Sequence, residues 1–170
     1  MIKKNHLFEI HRRDIENRIK KILNTRQFRA EKIEASYIIG DLLVKNAKTI
    51  FGDLINEYSP SFARRAMADF AFTDKDGFYY VVDVKTHRLD TKFNMPNLTS
   101  VERLSRFYEE DVNYFTLLKI DYLIKGTKVI IKHVIFAPIE FFDWNCLTIG
   151  ALGWGQIQIA NANVVNLVPK

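Results

Sequence analysis

The chain has 170 residues, of which 48% are apolar and 26% charged, which suits one domain spanning 1–170 and excludes an intrinsically disordered protein. Lys and Arg number 25 against 20 Asp and Glu, and the net charge of +5 is a modest basic excess that allows a polyanionic partner. The sequence has no apolar run of membrane-spanning length, no signal-peptide pattern and a single cysteine, Cys146, so we expect an intracellular, cytoplasmic protein of prokaryotic type.

Helical periodicity dominates the first third of the chain. Apolar residues recur at three- and four-residue steps from Leu7 to Leu23, which predicts an amphipathic helix. The same spacing predicts a second helix from about Ala30 to Tyr58, with a break at Gly40 or Gly52. These N-terminal helices cover about 7–58.

A strand hairpin follows. The segments 66–73 and 78–86 alternate in strand fashion, and the turn residues 74–77 (DKDG) join them. The segment 87–97 is polar and irregular, and helical spacing returns from Leu98 to Tyr108, with Asn97, Thr99 or Ser100 as its N-cap. The hairpin and this polar stretch form a central part of about 62–108.

The last third is rich in β-branched and aromatic residues. Strands are predicted over 114–124 and 128–137, a short helix over 139–144, and a final strand within 147–160, giving a C-terminal strand region of about 114–165. The order of elements predicts an α/β (α+β) fold in which helices flank a mixed central β-sheet.

Charged residues interrupt the apolar hairpin strands at three positions. Side chains two apart in a strand share a face, so Asp83 and Lys85 point the same way while Val84 points to the other face. Pairing across the turn brings Asp69 close to the level of Asp83. We therefore expect two carboxylates and one ammonium group to converge.

Two neighbouring carboxylates repel each other unless they share a proton or bind a cation. Two carboxylates and a main-chain carbonyl, which we assign to Val84, suit Mg²⁺, with Mn²⁺ as a substitute, and leave positions for water and a substrate phosphate. Lys85 can orient or deprotonate the water, or offset the charge of the transition state. An alternative is that Asp83 and Lys85 form an ordinary surface ion pair.

The stretch from Ala68 to about Phe107, which begins ADFAFTDKDGFYYVVDVKTHR and continues through FNMPNLTS into a predicted helix, resembles the PD-(D/E)XK nuclease superfamily, in particular type II restriction endonucleases of the HincII and EcoRV kind. Asp69 matches the first acidic position and Asp83-Val84-Lys85 the (D/E)XK element, while Ala68 replaces the family's proline. The resemblance implies a restriction-endonuclease-like core, a Mg²⁺-dependent catalytic site at Asp69, Asp83 and Lys85, and a further acidic residue from the preceding helix, with Glu34 as the first candidate and Asp41 as the second.

Polar side chains suited to DNA surround the predicted catalytic strand. Arg and Asn can read guanine and adenine edges, and hydroxyl groups can contact phosphates. A solvated surface loop is the alternative. The candidate DNA-binding residues are Arg64, Arg65, Thr86, His87, Arg88, Lys92, Asn94, Asn97, Thr99 and Ser100.

The residues and the resemblance together predict an endonuclease that cuts double-stranded DNA at a short palindromic site. One active site per chain favours a homodimer on a two-fold symmetric site, and the family resemblance implies a cognate DNA methyltransferase. Two alternatives remain open: a structure-specific nuclease for repair intermediates or junctions, and a non-catalytic DNA-binding relative.

Overall fold

A computed structural model describes residues 6–25, 34–59, 68–150 and 155–160. None of the helices in these ranges combines the length and the apolar character that crossing a membrane requires. The elements are α1 (His6–Thr25), α2 (Ala35–Phe51), β1 (Ile55–Ser59), β2 (Phe70–Asp74), β3 (Tyr79–Arg88), β4 (Asn97–Ser100), α3 (Val101–Phe107), β5 (Asn113–Lys125), β6 (Lys128–Pro138), β7 (Leu147–Ile149) and β8 (Gln156–Ile159).

The main sheet has five strands in the order β1-β2-β3-β5-β6. Strands β1, β2 and β3 pair antiparallel, β3 and β5 pair parallel, and β5 and β6 form an antiparallel hairpin. The connection between the two parallel strands contains β4 and α3. The sheet is therefore mixed, and the predicted α+β class is confirmed.

One face of this sheet packs against α1 and α2. Alternate strand residues such as Tyr80, Val82 and Leu118 lie in one apolar cluster with Ile19 of α1 and Leu43 of α2. Burying such large aliphatic and aromatic side chains is the main stabilising contribution in a domain of this size.

The opposite face is covered by a second, three-stranded sheet in the order β4-β8-β7 and by α3. Here Val81 and Leu117 of the main sheet share an apolar cluster with Leu98 of β4 and Ile159 of β8. Asp83 and Lys85 lie on this face, because they alternate in phase with Val81.

Helix α1 also closes the outer edge of β6. Glu16 Oε1 accepts a hydrogen bond of 3.0 Å from the backbone N–H of Phe136. Asn24 accepts from the N–H of Ile131 and donates to its carbonyl oxygen, at 3.0 and 3.3 Å. Side chains thus satisfy backbone groups that an edge strand would otherwise expose to pairing.

The prediction of helix from Ala30 to Tyr58 is wrong at its C-terminal end. Helix α2 stops at Phe51, and a 3₁₀ turn leads into β1. Gly52 has a φ of 54°, a conformation that glycine adopts without steric cost. The segment 55–58 therefore belongs to the sheet, and residues 30–33 lie outside the described ranges.

Two further boundaries differ from the predictions. The helix predicted from Leu98 begins only at Val101, because Leu98 is an inward-facing residue of β4, and Ser100 is the N-cap that accepts from the N–H of Arg103. The single strand predicted within 147–160 is a pair, β7 and β8, and 3₁₀ turns occupy 139–141 and 144–146 in place of one short helix. Gly155, with a φ of 57°, lies between β7 and β8.

Candidate active site

The turn between β2 and β3 sets the register of the hairpin that carries Asp69 and Asp83. Asp74 Oδ1 accepts from the backbone N–H groups of Asp76 and Phe78, both at 2.9 Å, and Oδ2 accepts from the Tyr80 hydroxyl at 3.1 Å. Burial nevertheless raises the pKa of this carboxyl group. The turn holds the two strands in the register that pairs Phe70 with Val82.

Continuing this register by one residue brings Asp69 opposite Asp83. The N–H of Asp69 donates to the Val82 carbonyl at 2.9 Å, and Asp69 Oδ2 accepts from the N–H of Val84 at 2.6 Å. The N–H and C=O of one residue point to the same edge of an extended strand, so the Val84 carbonyl faces the edge where Asp69 lies. The hairpin thus brings Asp69 close to Asp83 and to the backbone of Val84, as expected from pairing across the turn.

Asp83 is a buried carboxylate with an incomplete set of partners. The residue is 4% exposed, and its Oδ1 accepts from Lys85 Nζ at 2.9 Å. Its Oδ2 is also buried and lacks a hydrogen-bond partner within the described ranges. A buried oxygen left in this way costs free energy unless a further ligand reaches it.

Burial raises the pKa of Asp83 from 3.8 to about 7. The Lys85 ammonium group opposes this effect by charge and by its hydrogen bond, and the nearby Asp69 carboxylate adds to it. A bound divalent cation would favour the ionised form and lower this pKa again.

A second charged pair, which the sequence did not lead us to expect, lies beside the first. In the parallel pairing of β3 and β5, Lys85 lies opposite Lys119 and His87 opposite Asp121. Lys119 is 2% exposed, and its Nζ donates to Asp121 Oδ1 at 2.5 Å. The signal was available, because Lys119 and Asp121 interrupt an otherwise apolar strand, but their position beside Lys85 depends on the strand pairing.

Two histidines lie around Asp121. The Nδ1 atoms of His87 and His133 are each 3.6 Å from a carboxylate oxygen of Asp121. His87 is mostly buried and makes an edge contact with the Phe93 ring, and neither of its nitrogens has a hydrogen-bond partner in the part of the chain described. His87 thus lies on the sheet face beside the candidate site.

The segment after β3 places its polar residues in different surroundings. Arg88 makes a bidentate ion pair with Asp90, at 2.6 and 2.8 Å, and Thr86 alternates toward the helix face of the sheet. Thr99 and Ser100 are buried in β4, and the Ser100 hydroxyl caps α3. Of the candidates for DNA contact that lie in the described ranges, Lys92, Asn94 and Asn97 are exposed.

Glu34 and Asp41 belong to the helix layer on the other face of the sheet. Glu34 is the exposed N-cap residue of α2, and Asp41 is exposed about two turns further along the helix. None of the contacts found among the described residues links either carboxylate to Asp69, Asp83 or Lys85, and their role stays a prediction. Arg64 and Arg65 lie outside the described ranges.

The donor set fits a hard cation that keeps part of its water shell. Residues 6–25, 34–59, 68–150 and 155–160 contain no group of three or more His, Cys, Asp or Glu side chains arranged around one metal position. The carboxylates of Asp69 and Asp83 and the Val84 carbonyl, with an Asp83 Oδ2 that has no partner among the described residues, resemble the few protein ligands that Mg²⁺ commonly takes.

No protein-family model matches the chain, and no curated protein matches it either.

Proposed function

We propose that the protein is a Mg²⁺-dependent type II restriction endonuclease, which hydrolyses phosphodiester bonds in both strands of DNA at a short palindromic site. The observation that carries the proposal is the buried Oδ2 of Asp83, which no described residue hydrogen-bonds, beside Asp69 and on the same carboxylate that binds Lys85. A cation bound by Asp69 and Asp83 would neutralise two carboxylates that otherwise repel each other.

Asp69, Asp83 and the Val84 carbonyl would hold the ion, which supplies Lewis-acid polarisation of the phosphate and a more acidic water. The hydrogen bond that Asp69 Oδ2 accepts from the Val84 N–H holds the Asp69 carboxylate against β3. Lys85 is anchored by Asp83 Oδ1 and is partly exposed, so its remaining N–H groups can donate to a phosphate oxygen or hold a water molecule.

DNA fits the charge and the exposed polar loop. The net charge is +5. Lys92 and Asn94 are exposed in the loop between β3 and β4, and Asn97 is exposed at the start of β4. A homodimer would place two such sites on the two strands of a palindrome, and a cognate methyltransferase would protect the host DNA. Mn²⁺ would substitute for Mg²⁺ at oxygen ligands.

The test is digestion of a long plasmid by the purified protein with Mg²⁺, with the fragment ends sequenced. We expect discrete, reproducible fragments whose ends share one short palindromic sequence. A smear of random fragments, or cutting only at branched structures, would favour a different nuclease. No cutting with either Mg²⁺ or Mn²⁺ would overturn the proposal and leave a DNA-binding relative.

A further inference from the structure

The second sheet has one apolar and one polar face. Leu98, Leu147 and Ile159 lie in the cluster that packs onto the main sheet, on the face that carries Asp83 and Lys85. In register on the other face, Asn97 of β4 and Thr148 of β7 both lie opposite Gln158 of β8. Directly paired residues share a face, so a row of uncharged polar side chains crosses the outer surface.

Two side-chain amides in this row are joined. Gln158 Nε2 donates to Asn97 Oδ1 at 2.6 Å, and Asn97 is exposed. Gly150 leaves room for the Gln158 amide, because a Cβ atom at position 150 would lie 3.0 Å from Gln158 Cδ and Oε1. A short hydrogen bond thus joins the two amides, and the lack of a side chain at Gly150 leaves the space that the Gln158 amide occupies.

This bond uses the Gln158 amide nitrogen as donor and the Asn97 amide oxygen as acceptor, which leaves the Asn97 nitrogen and the Gln158 oxygen for other partners. Asn97 Nδ2 still has N–H groups to donate, and Gln158 Oε1 can still accept. Exchanging the oxygen and nitrogen positions in both amides also leaves one donor and one acceptor. Adenine presents the matching pattern in the major groove, with N7 as acceptor and the N6 amino group as donor.

We propose that the Asn97–Gln158 amide pair reads the major-groove edge of an adenine and that the second sheet is the base-reading ribbon of the protein. The proposal rests on the proposed endonuclease function and adds Gln158 and Gly150 as specificity-determining positions. A two-stranded β-ribbon can enter the major groove, and Asn97 and Gln158 lie on two paired strands, β4 and β8, of this three-stranded sheet. The sheet covers the same face of the main sheet that carries Asp83 and Lys85.

The decisive experiment is selection of DNA duplexes from a random library by the purified protein, with Ca²⁺ replacing Mg²⁺ and the bound fraction sequenced. It compares wild type with Asn97→Ala, Gln158→Ala and Gly150→Ala. The Gly150→Ala variant displaces only the flexible end of Gln158, so it tests the placement of the amide without removing it. Asn145→Ala, an exposed asparagine in a 3₁₀ turn, is the matched control.

We expect wild type and the control to select a motif containing an adenine, and each of the three variants to lose about 5- to 150-fold of the preference at that position. The Asn97→Ala/Gln158→Ala double variant should lose no more than either single variant, because the two amides act as one unit.

A purely structural hydrogen bond would lower the melting temperature of the variants and leave the selected motif unchanged, and that result would overturn the inference. Absence of any motif for the wild-type protein would do the same. Plasmid cleavage with Mg²⁺ is measured separately, so a protein that selects an adenine motif without cutting DNA refutes the endonuclease and keeps the base-reading ribbon.

Discussion

Replacing Asp83 with asparagine should change how stability depends on pH. The pKa of Asp83 rises from 3.8 to about 7 through burial, so the folded protein holds this proton more tightly than the unfolded chain does. Stability is then lost as the pH rises from about 4 through about 7. The asparagine variant has no such group and should not show this loss.

The size of the effect follows from the shift. At about 1.36 kcal/mol per pKa unit, the full displacement corresponds to about 4 kcal/mol. The part that falls between pH 5 and pH 8 covers about two units, or about 3 kcal/mol. Because the Asp83 side chain is only 6% exposed, solvent screening reduces this value little.

The assay is urea unfolding of wild type and Asp83→Asn in EDTA at several pH values from 5 to 8. We expect the variant to gain about 3 kcal/mol relative to wild type across this range, whatever constant offset arises from the lost partner of Lys85. Lys125→Gln, at the exposed end of β5, is the control and should follow the wild-type curve. If the free energies of unfolding of Asp83→Asn and wild type changed in parallel with pH, burial would not raise the pKa of Asp83, and the account of the site would be wrong.

Three further predictions concern the scaffold that positions the site. Asp74→Ala should lower the free energy of unfolding by about 2–4 kcal/mol, because it removes the acceptor of three hydrogen bonds; Lys75→Ala in the same turn is the control, and equal denaturation midpoints would contradict this role. Lys119→Met should cost about 3–5 kcal/mol by leaving the buried Asp121 carboxylate without its ammonium partner, whereas Lys119→Met combined with Asp121→Leu should recover most of the loss; equal stability of the single and double variants in urea would argue against the pair. Gly52→Ala should destabilise by at least about 1 kcal/mol because its φ is 54°, and Gly40→Ala inside α2 should stabilise by about 0.5–1 kcal/mol; calorimetric melting temperatures that shift in the same direction would refute the conformational argument.

Much of the site could be predicted because its information is local. Alternation in 78–86 placed Asp83 and Lys85 on one face, and the turn residues from Asp74 to Gly77 fixed the hairpin that brings Asp69 alongside. Turn chemistry and strand periodicity act over a few residues, so they can be read directly from the sequence.

The rest depends on contacts between distant segments. The parallel pairing of β3 with β5, which brings Lys119 beside Lys85, leaves no local mark in either strand. The Asn97–Gln158 bond joins side chains 61 positions apart and requires β4 to be a strand, whereas its apolar spacing is also compatible with a helix. Strand β1 could not be predicted for the same reason: the apolar spacing of so short a segment is compatible with a helix or a strand, and only its pairing with β2 decides between them.

The most direct test of the central claim is single-turnover cleavage of a duplex that carries the selected sequence, at saturating Mg²⁺, by wild type and Lys85→Ala. Removing Lys85 leaves the buried Asp83 carboxylate without its ammonium partner, so folding and duplex binding of the variant are measured alongside cleavage, with Mg²⁺ present to offset the carboxylate charge. We predict that wild type cuts both strands and that Lys85→Ala is slower by at least about 100-fold. Equal cleavage rates for the two proteins, or an intact duplex with wild type, would contradict the assignment of Asp69, Asp83 and Lys85 as an active site.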